Sequence, residues 1–389
     1  MKYLKLSDCS DFSSNRTSDI QLETYISTEN MLPNKGGVVK AESIPDCKTT
    51  SKYEPHDILL SNIRPYFCKI WYADKEGGCS NDVLVIKAKK GFLPKFLYYV
   101  LSDQNFFNYD TVTSKGTKMP RGSKNAIMKY LVPDLDLPTQ RRIASILSAY
   151  DNLIENNNKR IRLLEQMAEN LYKEWFVRFR FPGHEKVEME NGLPKGWKRT
   201  KLTNEYKTSS GGTPSRTNTE YYENGNIPWI KTGELQDCIL TDTEEYITEN
   251  AVKHSSAKLF PQGTLLMAMY GVNIGKLAIS NIDATCNQAC CVFIPKRIES
   301  KYYLFYHLKS IRDYLLSISF GAAQQNLSQE LIKSLKIIIP NDNTIIAFEH
   351  KAEGFYQQIR NLKHQNENLT RQRDLLLPRL MSGKLEVKE

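Results

Sequence analysis

Residues 137–176 read LPTQRRIASILSAYDNLIENNNKRIRLLEQMAENLYKEWF, and their spacing decides the architecture. Ile143, Leu147, Tyr150, Ile154, Asn157, Ile161, Leu164, Ala168, Leu171 and Trp175 follow one another at alternating steps of four and three. This is the a/d seam of a heptad helix, and at about 1.5 Å per residue it predicts a helix roughly 50 Å long. A second seam of equal length lies 205 residues further on: Phe348, Ala352, Phe355, Ile359, Leu362, Asn366, Leu369, Arg373, Leu376 and Leu380.

A small globule cannot cover such a seam, so the two helices are expected to pack on each other. In an antiparallel pair with matched ends, facing residue numbers sum to 523 and Asn157 meets Asn366. A parallel pair in the repeat register would instead leave each amide among apolar neighbours, where an unpaired polar group is costly. Polar seam residues also fix register, which makes Asn157 and Asn366 the register residues of an intramolecular antiparallel coiled coil. Arg373 would then face Tyr150, its stem covered and its charge at the edge of the seam. Pro378 predicts a kink or an early end to the second helix. The alternative is two amphipathic helices, each docked on its own globule.

Working outward from the helices, the second half of the chain repeats the first at an offset of 205 to 207 residues. PHDILLSNIRPYFCK (55–69) matches PQGTLLMAMYGVNIGK (261–276): a Pro-led turn, an apolar strand, a polar or Gly-containing turn, then Lys. Asn81 before the strand Val83–Ile86 matches Asn287 before the strand Cys290–Ile294. Helical segments follow at 94–107 and 301–318, then Gly-led polar loops at 116–124 and 321–329, then short strands closed by Pro133 and Pro340. The fold class read from this order is α+β: two mixed α/β globules in tandem pseudo-repeat, separated by the long coiled coil. The expected domains are a first globule at 1–137, a long helix at 138–180, a linker at 181–193, a second globule at 194–340, a second long helix at 341–383 and a tail at 384–389. Pro138 suits a first helical turn, and Asn341–Thr344 offers capping side chains.

The 389 residues carry 53 Lys and Arg against 44 Asp and Glu, a net charge of +9 that favours a polyanionic partner. No apolar run approaches the roughly 18 residues of a membrane span, and Met1–Arg16 lacks the apolar middle of a signal peptide, so no membrane partner and a cytoplasmic protein are expected. The eight cysteines form neither a disulfide framework nor a CxxC pair and read as reduced thiols. Cys286, Cys290 and Cys291 sit in or beside a strand without a nearby histidine, which favours an apolar role over metal binding.

A catalytic constellation is missing from the sequence. There is no GxxxxGK(S/T), HExxH or GxSxG motif, and no Pro-Pro pair such as an amino-methyltransferase loop carries. Pro133-Asp134 starts like a metal-nuclease motif, but no Asp/Glu-x-Lys follows before the first long helix ends, so it reads as a strand-to-helix turn. The six histidines show no metal spacing, and neither a metal site nor a cofactor is expected on this chain.

Binding signals are stronger. Lys115, Lys118, Arg121 and Lys124 recur every third residue in SKGTKMPRGSK, a Gly- and Pro-containing loop that offers cations to phosphate oxygens. The equivalent loop of the second globule, FGAAQQNLS, carries Gln324, Gln325 and Asn326 instead, side chains that pair bidentately with adenine in the major groove. Arg64 with Tyr66, and Tyr270 with Asn273, occupy the turn after the matching strand of each globule and join the candidate DNA-binding residues. Arg216, in SSGGTPSR, is a weaker candidate, and Trp229 in WIKT serves equally well as core.

The arrangement resembles the specificity (S) subunits of type I restriction-modification systems. The resemblance covers the whole chain and rests on residues 137–176, LPKGWKRTKL (193–202), GGTPSR (211–216), IPWIKTGEL (227–235), GAAQQNLS (321–328) and LLLPRLMSGKL (375–385). It implies a non-catalytic subunit that reads an asymmetric bipartite target in double-stranded DNA. It also implies recruitment of two modification subunits, which methylate adenine N6 with S-adenosylmethionine, and of restriction subunits that use ATP and Mg. Two other readings stay open: a self-sufficient DNA methyltransferase or nuclease with an unrecognised motif, and a structural coiled-coil scaffold.

Overall fold

The computed structural model describes residues 2–319, 326–382, 384 and 385. The chain forms two compact units, one of residues 1–156 and 365–389, the other of residues 157–364. Each unit therefore holds one globule together with a segment of both long helices.

In the first unit, strands β1 (Ser10–Phe12), β2 (Ile58–Ser61), β3 (Ile70–Tyr72) and β4 (Val83–Ala88) form an antiparallel sheet in the order β1-β4-β2-β3. Its register sets Leu60 against Leu84 and Ile70. Helices α1 (Pro94–Ser102) and α2 (Gln104–Thr113) follow. β2 is buried on both faces, which its unbroken apolar run ILL requires. A smaller sheet of Arg16–Thr17, Thr50–Tyr53 and Gly77–Cys79 lies outside the repeat pattern of the sequence. The first long helix, α3 (Leu137–Tyr172), starts in this unit, where the Asp136 carboxylate accepts from Thr139 N–H at 2.8 Å.

In the second unit, β5 (Tyr206–Ser210), β6 (Cys238–Leu240), β7 (Leu265–Ala268), β8 (Leu277–Ser280) and β9 (Cys290–Pro295) form a sheet in the order β5-β9-β7-β8-β6. All pairs are antiparallel except β6 with β8. Helices α4 (Lys301–Ser310) and α5 (Arg312–Ser319) come next, and the last helix, α6 (Asp342–Met381), begins in this unit. β7, β8, β9 and α4 each start 207 residues after β2, β3, β4 and α1, so the repeat read from the sequence is a repeat of structure. A two-stranded ribbon also closes each globule on itself: Tyr3–Lys5 with Leu131–Pro133, and Lys198–Lys201 with Lys336–Ile339. Cys286, Cys290 and Cys291 are free thiols buried among apolar side chains of the second unit.

The seams pair antiparallel within each unit. In the first, Ile143, Ala144 and Leu147 share a core with Leu377, Leu380 and Met381; in the second, Ala168, Tyr172 and Trp175 share one with Phe348, Ala352 and Tyr356. The globules join these cores as well, through Phe96, Leu97 and Val100 in the first unit and Tyr302, Tyr303 and Tyr306 in the second. In the first unit the C-terminal end of α6 packs on the globule of the other repeat, which excludes helices docked each on its own globule.

Three local expectations need correction. Arg373 does not run to the edge of the seam: it bonds Asp151 at 2.7 Å and Asp374 at 2.9 Å, and the Tyr99 hydroxyl donates to Asp151 at 2.5 Å. Pro378 neither ends α6, which runs on to Met381, nor stops the next bond, since Ser382 N–H reaches Pro378 O at 3.0 Å. The first long helix changes to a π turn at Lys173–Val177, where Arg178 N–H bonds Lys173 O at 2.9 Å. The wider turn lets two successive aromatic residues, Trp175 and Phe176, both face the core. Asn341 caps α6, its side chain accepting from Thr344 N–H at 2.9 Å.

Candidate nucleic-acid interface

Each globule brings the turn after its central strand together with the loop after its second helix. In the first, Ile63 bridges Arg121, Arg64 N–H bonds Pro120 O at 2.8 Å, and Gly122 N–H bonds Asn62 O at 3.1 Å. In the second, Tyr270 bridges Asn326 and Leu327 N–H bonds Met269 O at 2.8 Å. Ile63 and Tyr270 are 207 residues apart, and Arg121 and Asn326 are 205 apart, so both repeats build one junction at one place. Sequences that far diverged share only what the backbone needs there: two segments hydrogen-bonded into a common edge.

The chemistry at the two junctions differs. Lys115 and Arg121 exchange both backbone bonds at 2.9 Å, closing a small hairpin with Lys118 at its exposed end. Ser123 caps a short helix that starts at Lys124. Lys115, Lys118 and Lys124 are exposed and make no ion pair among the described residues. Arg121 is partly neutralised by Asp82, 3.2 Å away. Arg64 sits in the left-handed region at φ 50°, and Tyr66 is half exposed two residues on, against Phe67 with ring centroids 4.8 Å apart. The junction thus gathers Arg64, Tyr66, Lys115, Lys118, Arg121 and Lys124 on one edge of the first globule.

Beneath this loop, Gly122 lies over the buried Asp110. A Cβ on Gly122 would come within 2.6 Å of Asp110 Oδ1 and 2.9 Å of Asn62 Oδ1, so only glycine lets the loop sit this low. Burial pushes the Asp110 carboxyl up to about 6.

In the second globule, Tyr270 and Asn326 stand at the junction; Gln324 and Gln325 lie outside the described residues. Asn273 is not a free reader. Its Nδ2 donates to Thr232 O and Gly233 O, both at 3.0 Å, and so pins the turn to a neighbouring segment. Arg216 is exposed but its charge is engaged at the surface of the globule: it bonds Glu245 at 2.7 Å and stacks over the Tyr222 and Trp229 rings at 4.3 and 5.0 Å. Against burial, which acts to raise it, the hydrogen bonds from Lys231 and Arg216 hold the Glu245 carboxyl below the usual range. Trp229 is core, its Nε1 donating to Gly212 O at 3.0 Å. Gly211 is forced by packing too, because a Cβ there would overlap Cys286 O. The GGTPSR and WIKT motifs therefore build the globule, and of their residues Thr232 alone is shown bonded to the junction turn, through the carbonyl that accepts from Asn273.

Two features of this edge had no signal in the sequence. Asp82 neutralises Arg121 from 39 residues away, and Val272 projects from the turn of the second globule with its whole side chain in solvent. Single apolar residues and nonlocal ion pairs leave no periodic trace.

Residues 15–166 and 194–373 match the family described as type I restriction modification DNA specificity domain. The chain is 27% identical to the type I restriction enzyme MjaIX specificity subunit of Methanocaldococcus jannaschii, over 77% of this chain and 71% of that protein. It is 24% identical to the HindI specificity subunit of Haemophilus influenzae, over 93% of this chain and 94% of that protein. Among solved structures, the S subunit of a type I restriction-modification system from M. genitalium superposes with a TM-score of 0.55 at 16% identity, covering 100% of this chain and 96% of that one, a likeness of fold.

Proposed function

The chain belongs to the family of type I restriction-modification DNA specificity domains, and we propose that it is the non-catalytic subunit that tells such a complex where to act. Each globule reads one half of a bipartite duplex target, with its junction edge toward the major groove. The observation that carries this reading is the junction itself. It is built twice from the same backbone bonds, yet is furnished with cations in one globule and, at Asn326, with an amide in the other. A conserved mount with different side chains is what two readers of different half-sites require, so the target is asymmetric. Arg64, Tyr66, Lys115, Lys118, Arg121 and Lys124 contact the first half-site, and Tyr270 with Gln324, Gln325 and Asn326 the second. Arg216 braces the surface of the second globule through Glu245, and Asn273 pins its turn.

The helix pair sets the spacing between half-sites, with Asn157 and Asn366 fixing its register, and it docks two modification subunits. Leu163 and Met167, a helical turn apart on α3 and both more than half exposed, fit such a docking face. The modification subunits bring S-adenosylmethionine and methylate adenine N6. Restriction subunits add ATP- and Mg-dependent cleavage, and the complex works in the cytoplasm. No helix among the described residues is long and apolar enough to cross a membrane.

Incubating the purified chain with duplex DNA and S-adenosylmethionine tests the division of labour. The chain alone transfers no methyl group, and the chain with its modification subunits methylates one bipartite sequence. Methyl transfer by the chain alone would overturn the reading.

A further inference from the structure

The turn after β7 runs from Met269 to Lys276 and is held from several sides. Asn273 Nδ2 bonds two carbonyls of the 232–233 segment, Arg312 Nε bonds Gly275 O at 3.0 Å, Gly275 N–H bonds Ala268 O at 2.8 Å, and Ile274 is buried. Gly271, at φ 88°, lets the chain reverse. At the apex stands Val272, with a relative exposure of 102%.

Neither folding nor turn chemistry explains a valine there. It buries nothing, and turn apices favour Gly, Asn, Asp or Ser, whose backbones or side chains suit the reversal. A β-branched side chain has few rotamers, so on a pinned turn its methyls are fixed in space before any partner arrives. The turn is the one whose Tyr270 bridges Asn326, and in the first globule the corresponding turn also exposes apolar surface, at Tyr66 and Phe67. Of the groups that base pairs display in the major groove, the thymine 5-methyl is the apolar one.

We propose that Val272 is a specificity-determining residue that packs its methyl groups on the 5-methyl of a thymine in the half-site read by the second globule. The proposal rests on that globule being a DNA reader, and it adds the chemical group that is read.

The experiment uses the complex of the chain with its modification subunits and a duplex carrying the mapped methylation site. Each thymine of the half-site is replaced singly by deoxyuridine, which removes only the methyl. For the wild type, one such replacement weakens binding about fourfold, the equivalent of about 0.8 kcal/mol for one methyl-sized group withdrawn from water. Val272→Ala weakens binding to the thymine duplex by a similar factor and no longer responds to that replacement. Val272→Ile, which keeps the apolar branch, retains the response. The proposal is overturned if no deoxyuridine replacement weakens the wild type, or if the response persists in Val272→Ala, as it would for a wedge between base steps or a contact to another subunit. If Asn326→Ala and Tyr270→Ala also leave binding unchanged, the second globule is not a reader at all. A loss in those variants with an unchanged deoxyuridine response in Val272→Ala rejects the thymine contact alone.

Discussion

Replacing Lys115, Lys118 and Lys124 together by alanine should take three phosphate contacts from the first globule. Each cation that neutralises a phosphate adds about 0.9 to the slope of log affinity against log salt, so the triple variant should lower that slope by about 2.7. Extrapolated from 1 M to roughly 0.1 M salt, the loss is about 500-fold, or about 3.7 kcal/mol. Arg121 is left out of the count because Asp82, 3.2 Å away, already engages it. The same ion pair yields a gain: Asp82→Asn releases Arg121 from an exposed pair worth about 0.2–1 kcal/mol and should tighten binding by about 1.4- to fivefold at low salt. The assay is fluorescence anisotropy of the assembled complex on its target duplex at several salt concentrations, with circular dichroism to check folding. An unchanged slope in the folded triple variant, or weaker binding by Asp82→Asn, would refute the reasoning.

Three further outcomes follow from the packing. Gly122→Ala puts a Cβ within 2.6 Å of the buried Asp110 carboxylate, so the loop must lift; selectivity at the first half-site should fall while the second half-site is read as before, measured by binding to half-site variants. Glu349 accepts backbone N–H bonds from Tyr302 at 3.3 Å and Tyr303 at 2.8 Å, and burial pushes its carboxyl up to about 8. The folded state holds this proton more tightly than the unfolded chain, so its contribution to stability is present at low pH and declines as pH rises from the ordinary range near 4.5 toward 8. Glu349→Gln should flatten that decline and be more stable than wild type at pH 8 by thermal melting; a steeper decline would contradict the assignment. Asp151→Ala removes one of the two carboxylates that bond Arg373 and leaves Asp374 at 2.9 Å in place, so it should cost about 1.5–3 kcal/mol in denaturant titration, the range of one hydrogen bond to a charged group.

Much of this was legible in the sequence because it is periodic or local. The two seams rest on steps of three and four, and every seam residue is buried or half-buried in its unit. The strand–turn–strand repeat rests on apolar runs bounded by turn residues, and the position of the junction loops followed from it. What stayed hidden depends on partners far apart in the chain. Arg216 was a candidate for DNA until Glu245, 29 residues away, and two rings took up its charge. Asn273 had the side chain of an adenine reader, but two carbonyls 40 and 41 residues upstream already use its amide. The small sheet of Arg16–Thr17, Thr50–Tyr53 and Gly77–Cys79 leaves no pattern in the sequence because strands of two to four residues are too short to show alternation. The π turn after α3 carries no compositional mark beyond two adjacent aromatic residues that both needed burial.

The central claim is that the globules choose the half-sites and the helices choose the distance between them. A heptad inserted after Asn157 and a second, facing heptad inserted before Asn366 lengthen the helix pair by about 10 Å, close to three base pairs at about 3.4 Å each. Mapping methylated adenines in cells that carry the modification subunits reads the consequence directly. Both half-site sequences should persist with a spacer longer by about three base pairs; altered half-sites with the original spacer would contradict the account.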